Sequence, residues 1–298
     1  MIAFKPLAPF GVETFDIDLS KGLAAADFVE LERAFYANQV LALRAQHIDA
    51  AQFIDFARRL GPPQPHVIDQ FHHPADPNIL ILSNVKDAAG RPTGLQDAGS
   101  YFHTDYSYLA VPARATTLYS RIVPKVGGDT LFANQIAAYD DLPAAMKARI
   151  EPLRAIHHYG NRNDVDEASR TAASVLNDAQ KAKMPVITHR IARPHPVTGR
   201  KALYAVSGSS FGIVGMPDDE ARDLLDELAT HATQPRYQLR FRYGVGDIVV
   251  WDNAALLHSA TLIDPADART LWRVTVLEVE PGAAAPEVLA PTYAAPVR

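Results

Sequence analysis

Two segments of the sequence place a histidine two residues before an aspartate, a spacing at which both side chains can bind one metal ion. They are His47-Ile48-Asp49 and His103-Thr104-Asp105. With 11 histidines and 34 acidic residues among 298, random placement gives roughly one such pair, so the spacing alone carries little information. The residues around each pair must therefore separate them.

The two pairs differ in the local structure that their neighbours favour. His47 and Asp49 precede a predicted helix, where Asp49 has a sufficient role as the N-cap. His103 and Asp105 lie in FHTDYSY, whose aromatic and hydroxyl residues favour a strand. Because residues i and i+2 of a strand point to the same face, this imidazole and carboxylate would lie side by side. That arrangement suits Fe(II), Mn(II) or Zn(II), although a buried hydrogen-bonded His–Asp pair is the alternative.

A third metal ligand is expected from a distant part of the chain, and His258 is the strongest candidate. It follows the apolar segment DIVVW and an Asp-Asn turn, so we expect it at a strand end. Two histidines and one carboxylate, with the other coordination positions open, form the facial triad of non-haem Fe(II) oxygenases.

The segment ARTLWRVTV places two arginines on one face of a predicted strand. By strand alternation Arg269, Leu271 and Arg273 share this face, whereas Trp272 and Val274 point to the opposite side, into the core. The two guanidinium groups would lie roughly 13 Å apart along the strand. Buried arginines need anionic partners, so this face predicts one or two anionic ligands unless it is a solvated surface.

The elements that must hold these residues are many short strands with a few helices. Helices are predicted over 24–38, 50–60, 143–150 and 217–231. Strands are predicted at VLALR, NILILSN, ATTLYSRIV, GDTLFAN, LRAIHHY, YQLRFRY, DIVVW and RTLWRVTVLEV. ATTLYSRIV and GDTLFAN are expected to pair with each other, with Gly127-Gly128 between them. Two further strands are expected to be joined by a turn near Thr198-Gly199. Helices do not alternate with strands, which favours a mostly β sandwich or jelly roll with helical additions. We predict one domain over 1–298, with an irregular tail over about 281–298 and a helical insertion or lid over 161–184.

Composition excludes several classes of function. The chain has no cysteine, which excludes disulfides, thiolate metal sites and thiol nucleophiles and fits a reducing cytoplasm. A net charge of −5 gives no general attraction to nucleic acid or anionic membranes. The longest apolar runs have the length of strands, and the N-terminal segment lacks a signal core. These features predict a cytoplasmic protein with small-molecule partners, and neither nucleic-acid nor membrane partners.

Five motifs along the chain together resemble one known family. They are FHTDYSY, PKVGGDTLFANQIAAYDDLP, HRIARPHPVTGRKALY, YQLRFRYGVGDIVVWDNAALLHSA and ARTLWRVTV. Their order and spacing are similar to those of the taurine dioxygenase/2,4-dichlorophenoxyacetate dioxygenase family of Fe(II)- and 2-oxoglutarate-dependent oxygenases, from the N-terminal strands to about residue 280. The resemblance implies a double-stranded β-helix (jelly roll), a dimer or tetramer, and hydroxylation of a substrate C–H while 2-oxoglutarate and O2 give succinate and CO2.

The resemblance also implies roles for individual residues in binding the metal and the cosubstrate. His103, Asp105 and His258 match the residues that bind the catalytic iron. Arg269, eleven residues after His258, matches the arginine that binds the distal carboxylate of 2-oxoglutarate, and a bidentate arginine–carboxylate pair is suitable chemistry for this. Thr130 matches the threonine that hydrogen-bonds the same cosubstrate.

Further residues are implied or expected to contact the substrate. Arg273 matches an arginine that meets the substrate anion, and His66 matches a substrate-contacting histidine. Tyr106 follows the first metal ligands directly and is a further candidate. Retention of Arg273 favours an anionic substrate: a sulfonate, a sulfate ester, an aryloxyalkanoate or another carboxylate.

Three positions depart from the taurine-type pattern. Asp69 stands where a tyrosine is expected, Gly99 where an asparagine is expected, and Ser209 where an aromatic residue is expected, although Phe211 is close. An acid would repel a sulfonate, and loss of an aromatic side chain enlarges a pocket. These departures argue against taurine itself.

Three other functions fit parts of the sequence, and one of them, a triad oxygenase that does not use 2-oxoglutarate, is distinguished by Arg269. Gly208-Ser209-Ser210-Phe211-Gly212 fits the nucleophile-elbow motif of serine hydrolases, and Asp252 and His258 follow Ser210 in the required order. The apolar, extended segment after the motif lacks the helix that an elbow needs. The third alternative is a jelly-roll protein that binds a ligand without turnover, against which the intact triad and Arg269 argue.

Overall fold

The computed structural model describes residues 1–96, 99–159, 180, 184 and 186–279. Its largest sheet has eight strands and is antiparallel except where the second and third strands of the chain pair. In spatial order these strands are β1 (Lys5–Pro6), β2 (Val12–Thr14), β3 (Val40–Leu43), β14 (Ile248–Asp252), β6 (Ala113–Ile122), β16 (Thr270–Leu277), β5 (Asp76–Ser83) and β4 (His72–His73).

Smaller sheets and helices complete the described part of the fold. One sheet has the order β13 (Gln238–Phe241), β7 (Thr130–Asn134), β15 (Leu256–Ala260); a second has β12 (Ser210–Ile213), β8 (Arg154–His157), β9 (Ile187–Arg190); and β10 (Ala192–Pro194) pairs with β11 (Lys201–Leu203). The helices are α1 (Ala25–Asn38), α2 (Ala50–Leu60), α3 (Gln135–Asp140), α4 (Ala144–Ile150) and α5 (Asp218–Ala232).

The large sheet is buried on both faces, which explains its continuous apolar segments. In β14, Val249 and Trp251 pack into the core between the large sheet and the β13-β7-β15 sheet. Ile248 and Val250 pack on the other side, in a cluster that includes residues of α1 and α2. Full burial of each such side chain is worth about 1.5–3 kcal/mol. The two layers of strands around one core form the predicted mostly β jelly roll.

The helix predictions are confirmed, and the boundary signals act as expected. Asp49 caps α2 through a reciprocal capping box with Gln52, and Gly61 follows the last helical residue. The predicted pairing of β6 with β7 is wrong: β6 pairs with β14 and β16, whereas β7 pairs with β13 and β15. The glycine-containing connection carries the chain from one layer to the other instead of closing a hairpin.

The inward face of β16 carries the predicted polar residues. Leu271 belongs to the core between the sheets, and Arg273 and Thr275 alternate with it, whereas Val274 and Val276 join the cluster that faces the helices. The predicted alternation is therefore confirmed, with Arg273 and Thr275 on one face, although both faces of the strand are buried.

Two predicted segments lie outside the described residues. These are the lid over 161–184, of which only residues 180 and 184 are described, and the tail over 281–298. The single domain over 1–298 stays a prediction. Within the described helices, none is both long and apolar enough to cross a membrane.

Candidate active site

His103 and His258 are brought together by a short backbone pairing between distant parts of the chain. The N–H of each donates to the carbonyl oxygen of the other, at 2.9 and 2.8 Å. The two ring centroids lie 4.2 Å apart. His258 lies in the middle of β15 and not at a strand end, so that detail of the prediction is wrong.

Asp105 reaches the same place although the strand predicted around it does not form. His103 makes only a single bridge, and Asp105 begins a turn. The side chain of Thr104, between them, points away and donates to the carbonyl oxygen of Leu256 at 3.2 Å. The two candidate ligands therefore still share one side of the backbone, as two-residue alternation requires.

The three side chains form a cluster that fits a metal ion. One ligand atom from each lies within 4.8 Å of the others. The Asp105 carboxylate oxygens lie 3.7 Å from His103 Nε2 and 3.6 Å from His258 Nε2. A metal ion that lies about 2.1 Å from a carboxylate oxygen and from an imidazole nitrogen can bind both atoms of a pair separated by these distances. His103 Nδ1 donates to the carbonyl oxygen of Tyr101 at 2.8 Å, which leaves the Nε2 lone pair for the metal.

The Asp105 carboxylate is oriented by hydrogen bonds from neighbouring strands. Thr116 Oγ1 donates to one oxygen at 2.7 Å, and Arg273 Nη2 donates to the other at 2.7 Å. Asn253 Nδ2 in turn donates to Thr116 Oγ1 at 3.0 Å. Because a carboxylate has about four lone-pair sites, both oxygens retain one for a metal. The sequence held no signal for Thr116 or Asn253.

The charge states of the three side chains suit a divalent cation. Burial lowers the pKa of the His103 and His258 imidazoles, so both are neutral, as metal ligation requires. Burial raises the pKa of Asp105, but its charged and hydrogen-bonding neighbours, first of all the Arg273 guanidinium, outweigh this and hold it below its usual range. The cluster is therefore two neutral nitrogen donors and one carboxylate, the donor set of the facial triad.

A second polar group lies farther along the same strands. Thr130 on β7 is two residues from Phe132, which pairs with His258 on β15. Thr130 Oγ1 lies 2.7 Å from the Tyr243 hydroxyl oxygen. Arg269 is also close to this tyrosine, and its buried Nε has no hydrogen-bond partner. Among the described residues no carboxylate forms a salt bridge with Arg269, so the site fits the distal carboxylate of 2-oxoglutarate.

Arg273 lies beside the three candidate metal ligands, with aromatic side chains around it. Its Nη2 donates a hydrogen bond to Asp105, and its Nε donates a second one to Thr275 Oγ1 at 3.2 Å. No hydrogen bond joins its Nη1 to another described residue. We predicted an anionic ligand for both arginines, but for Arg273 the protein itself supplies one anion. A further anion would meet the Nη1 side.

The aromatic side chains near Arg273 contact one another. The Tyr106 ring centroid lies 5.7 Å from the guanidinium carbon. Tyr108 packs edge-on against Tyr106 at 5.8 Å and against Tyr159 at 4.9 Å. His66 lies 6.1 Å from Tyr106, and burial, with the Arg273 charge, lowers its pKa to about 3. The predicted substrate contacts Arg273, His66 and Tyr106 thus lie close together, and the imidazole among them is neutral.

The three departures from the taurine-type pattern have different structural weight. Asp69 is exposed, so water screens its charge and the predicted repulsion of a sulfonate has no support. Ser209 Oγ lies 2.6 Å from Ser107 Oγ and 3.1 Å from His157 Nδ1, which anchors the turn after Asp105. Gly99 lies against the candidate metal ligand His103.

The serine hydrolase alternative is contradicted by the geometry. Asp252 is bonded to His195 at 2.7 Å, not to His258. Ser210 lies within β12, and its buried Oγ has no hydrogen-bond partner. The required Ser–His–Asp chain of hydrogen bonds is therefore absent among these residues.

Two glycines give His103 its position, and this leads to a testable prediction. Gly208 has φ +88°, and a Cβ there would lie 2.7 Å from His103 Cβ; Gly99 has φ +74°, and a Cβ there would collide with His103 Cε1. We expect Gly208→Ala to weaken Fe(II) binding at least roughly tenfold, because the imidazole must move. The control is Gly199→Ala, since Gly199 has φ +70° with nothing within 4 Å of the added Cβ. Equal losses in the two variants, measured by metal titration, would show that backbone strain alone is responsible.

Comparisons with known proteins agree with this geometry. Residues 3–275 match the model of the family described as taurine catabolism dioxygenase TauD, TfdA family. The alpha-ketoglutarate-dependent 2,4-dichlorophenoxyacetate dioxygenase of Cupriavidus pinatubonensis is 35% identical over 92% of this chain and 96% of that enzyme. The (S)-phenoxypropionate/alpha-ketoglutarate-dioxygenase of Sphingobium herbicidovorans is 31% identical over 89% of this chain and 91% of its own.

A solved structure supports the same assignment. The crystal structure of AAD-2 in complex with Mn(II) and N-oxalylglycine superposes with a TM-score of 0.76 and 29% identity, over 94% of this chain and 98% of that one. Alpha-ketoglutarate is 2-oxoglutarate, so the relatives' names and the two sites described above indicate the same chemistry. The chain therefore belongs to the TauD/TfdA family and is a 2-oxoglutarate-dependent dioxygenase that uses Fe(II) and O2.

Proposed function

We propose that the enzyme hydroxylates a C–H bond of an aryloxyalkanoate or a similar aromatic carboxylic acid. The observation that carries this proposal is the Arg273 guanidinium, buried beside the metal cluster with Nη1 unbonded to described residues and the Tyr106 ring at 5.7 Å. A carboxylate pairs with this charge, and the aromatic walls suit an aryl group. Two relatives bear the names of enzymes that act on phenoxy acids, which supports the same class.

We further propose the roles of the individual residues. His103, Asp105 and His258 hold the iron. Arg269 and Thr130 bind the distal carboxylate of 2-oxoglutarate. The unpartnered Arg269 Nε and the neutral imidazoles support these roles.

In the proposed mechanism the protein supplies orientation, charge and exclusion of water. Fe(II) with 2-oxoglutarate and O2 supplies the oxidising chemistry: one oxygen atom enters the substrate and the other enters succinate as CO2 leaves. Thr116 and Arg273 hold the Asp105 carboxylate, and the Tyr101 carbonyl holds the His103 tautomer. Hydroxylation at carbon needs no general base. This agrees with the His66 imidazole, which is a weak base because its pKa is about 3.

Sulfonates and sulfate esters remain the second candidate class. Their oxygens also pair with a guanidinium, and the exposed position of Asp69 does not oppose them. Succinate release measured across aryloxy acids, aliphatic sulfonates, sulfate esters and amino-acid derivatives separates the classes. We expect the fastest release with aryloxy acids. Faster turnover of an aliphatic sulfonate would contradict the aryl proposal.

Arg273→Gln tests the role of this charge in substrate binding. We expect KM for an aryloxy acid to rise at least roughly 30-fold, because a buried charged partner is lost. The matched ligand control is the methyl ester of the same acid, whose KM should change much less. Equal changes for acid and ester would show that the variant acts only through Asp105, and an iron titration would measure that effect directly.

We propose a homo-oligomer, a dimer or tetramer, located in the cytoplasm. The family resemblance supports the oligomer, and the absence of cysteine from the sequence is compatible with the compartment. Light scattering on the purified protein should give the mass of two or four chains. The mass of one chain at micromolar concentration would contradict the oligomer.

A further inference from the structure

We propose that Tyr243 is a positioning residue for 2-oxoglutarate. Its hydroxyl donates to Thr130 Oγ1, which directs the threonine's own proton toward the distal carboxylate of the cosubstrate held by Arg269. The inference rests on the proposed roles of Thr130 and Arg269, and it adds a residue for which neither the sequence motifs nor the comparisons give a role.

The position of the Tyr243 phenol is fixed by the strand that precedes it. In the register between β13 and β7, Phe241 is opposite Thr130. Tyr243 follows two residues later, and its hydroxyl oxygen lies 2.7 Å from Thr130 Oγ1. Its ring packs edge-on against Phe241 at 4.9 Å and against the core between the sheets. The phenol is thus held beside Thr130 by packing against Phe241 and the core.

The direction of the Tyr243–Thr130 hydrogen bond follows from the ligand. Burial raises the pKa of Tyr243 to about 12, so the phenol keeps its proton and can donate. A threonine hydroxyl has one proton and two acceptor sites. If Tyr243 donates to it, the threonine proton is left for a carboxylate; the opposite direction would present a threonine lone pair to an anion. Successive donors that point toward a charge also strengthen one another.

The charged side chains near Thr130 do not compete with Tyr243 for the threonine hydroxyl. Asp129 precedes Thr130, but its carboxylate pairs with Arg240 at 3.4 Å. Gly128 gives the Arg269 side chain room, since a Cβ there would lie 3.1 Å from Arg269 Cδ. The Arg269 charge and two ordered hydroxyls therefore form a site for a terminal carboxylate.

Tyr243→Phe tests the inference through binding and not through turnover. We expect the Kd of 2-oxoglutarate for the Mn(II)-loaded protein, measured calorimetrically without oxygen, to rise roughly tenfold. The Kd of 2-oxobutyrate, which keeps the 2-oxo acid group but lacks the distal carboxylate, should stay unchanged. The control variant is Tyr237→Phe, which removes a tyrosine hydrogen bond of 2.9 Å to Asp141 away from this site and should alter neither Kd.

A double-mutant cycle tests the order of the hydrogen bonds. In a Thr130→Val background, Tyr243→Phe should cause little further loss, because the phenol acts through the threonine. The inference is overturned by any of three results: an unchanged 2-oxoglutarate Kd, an equal loss for 2-oxobutyrate, or the full loss in the Thr130→Val background. If one of these results is found and the Arg269→Ala variant also binds 2-oxoglutarate with normal affinity, the proposed cosubstrate site fails as well. If Arg269→Ala weakens 2-oxoglutarate binding, only the role of Tyr243 fails.

Discussion

Replacement of His103 by alanine is expected to abolish succinate formation that depends on Fe(II) and 2-oxoglutarate, by at least about 10³-fold. In the part of the chain that the structure describes, His103, Asp105 and His258 are the one cluster of such side chains that can share a metal ion. With one imidazole lost, two ligands remain, and the iron is bound weakly and without a fixed geometry. Succinate release and the iron content of the purified variant would both report the loss.

The chain itself provides the control for this variant. His47 stands in the same His-x-Asp spacing, but its side chain is exposed and Asp49 caps α2. We expect His47→Ala to retain iron and activity. Full iron content and normal turnover in His103→Ala would refute the assignment of the metal site, and equal losses in both variants would indicate general destabilisation.

Replacement of Arg269 by alanine is expected to raise the Kd of 2-oxoglutarate at least roughly 30-fold, because a buried charge pair with the distal carboxylate is lost. Iron binding should be unchanged, since Arg269 contacts none of the candidate metal ligands. The loss should be confined to 2-oxo acids that carry a second carboxylate.

Arg242→Ala is the matched control for Arg269→Ala. Arg242 lies near the same strands, 3.9 Å from Asp129, but its side chain is 80% exposed. Its removal changes the net charge equally and should leave the 2-oxoglutarate Kd within about twofold, because an exposed charge is screened by water. Unchanged binding in Arg269→Ala would contradict the cosubstrate assignment.

The sequence predicted most of the helices and strands and the ligand candidates because these depend on local patterns. The arginine-bearing face of β16 followed from two-residue alternation alone. β15 and α3 were missed, since five- and six-residue elements give little periodicity. The side-by-side position of His103 and Asp105 was predicted correctly from a strand that does not form; the two-residue spacing beside one isolated β-bridge was sufficient.

The rest of the site depends on contacts between residues that are far apart in the chain. The bond of Arg273 to Asp105 joins positions 168 residues apart, and the Thr130–Tyr243 bond joins positions 113 apart. No local pattern reports such pairs. The same holds for Gly208, whose small size is required only because His103 packs against it.

The most direct test of the central claim is the addition of Fe(II) and 2-oxoglutarate to the protein in the absence of oxygen. A 2-oxo acid that chelates iron in this site should produce a weak visible charge-transfer band. The band should be absent in His103→Ala and should need much more 2-oxoglutarate in Arg269→Ala. Failure of the wild-type protein to produce the band, or a band that both variants retain unchanged, would contradict the assignment of iron and 2-oxoglutarate to this site.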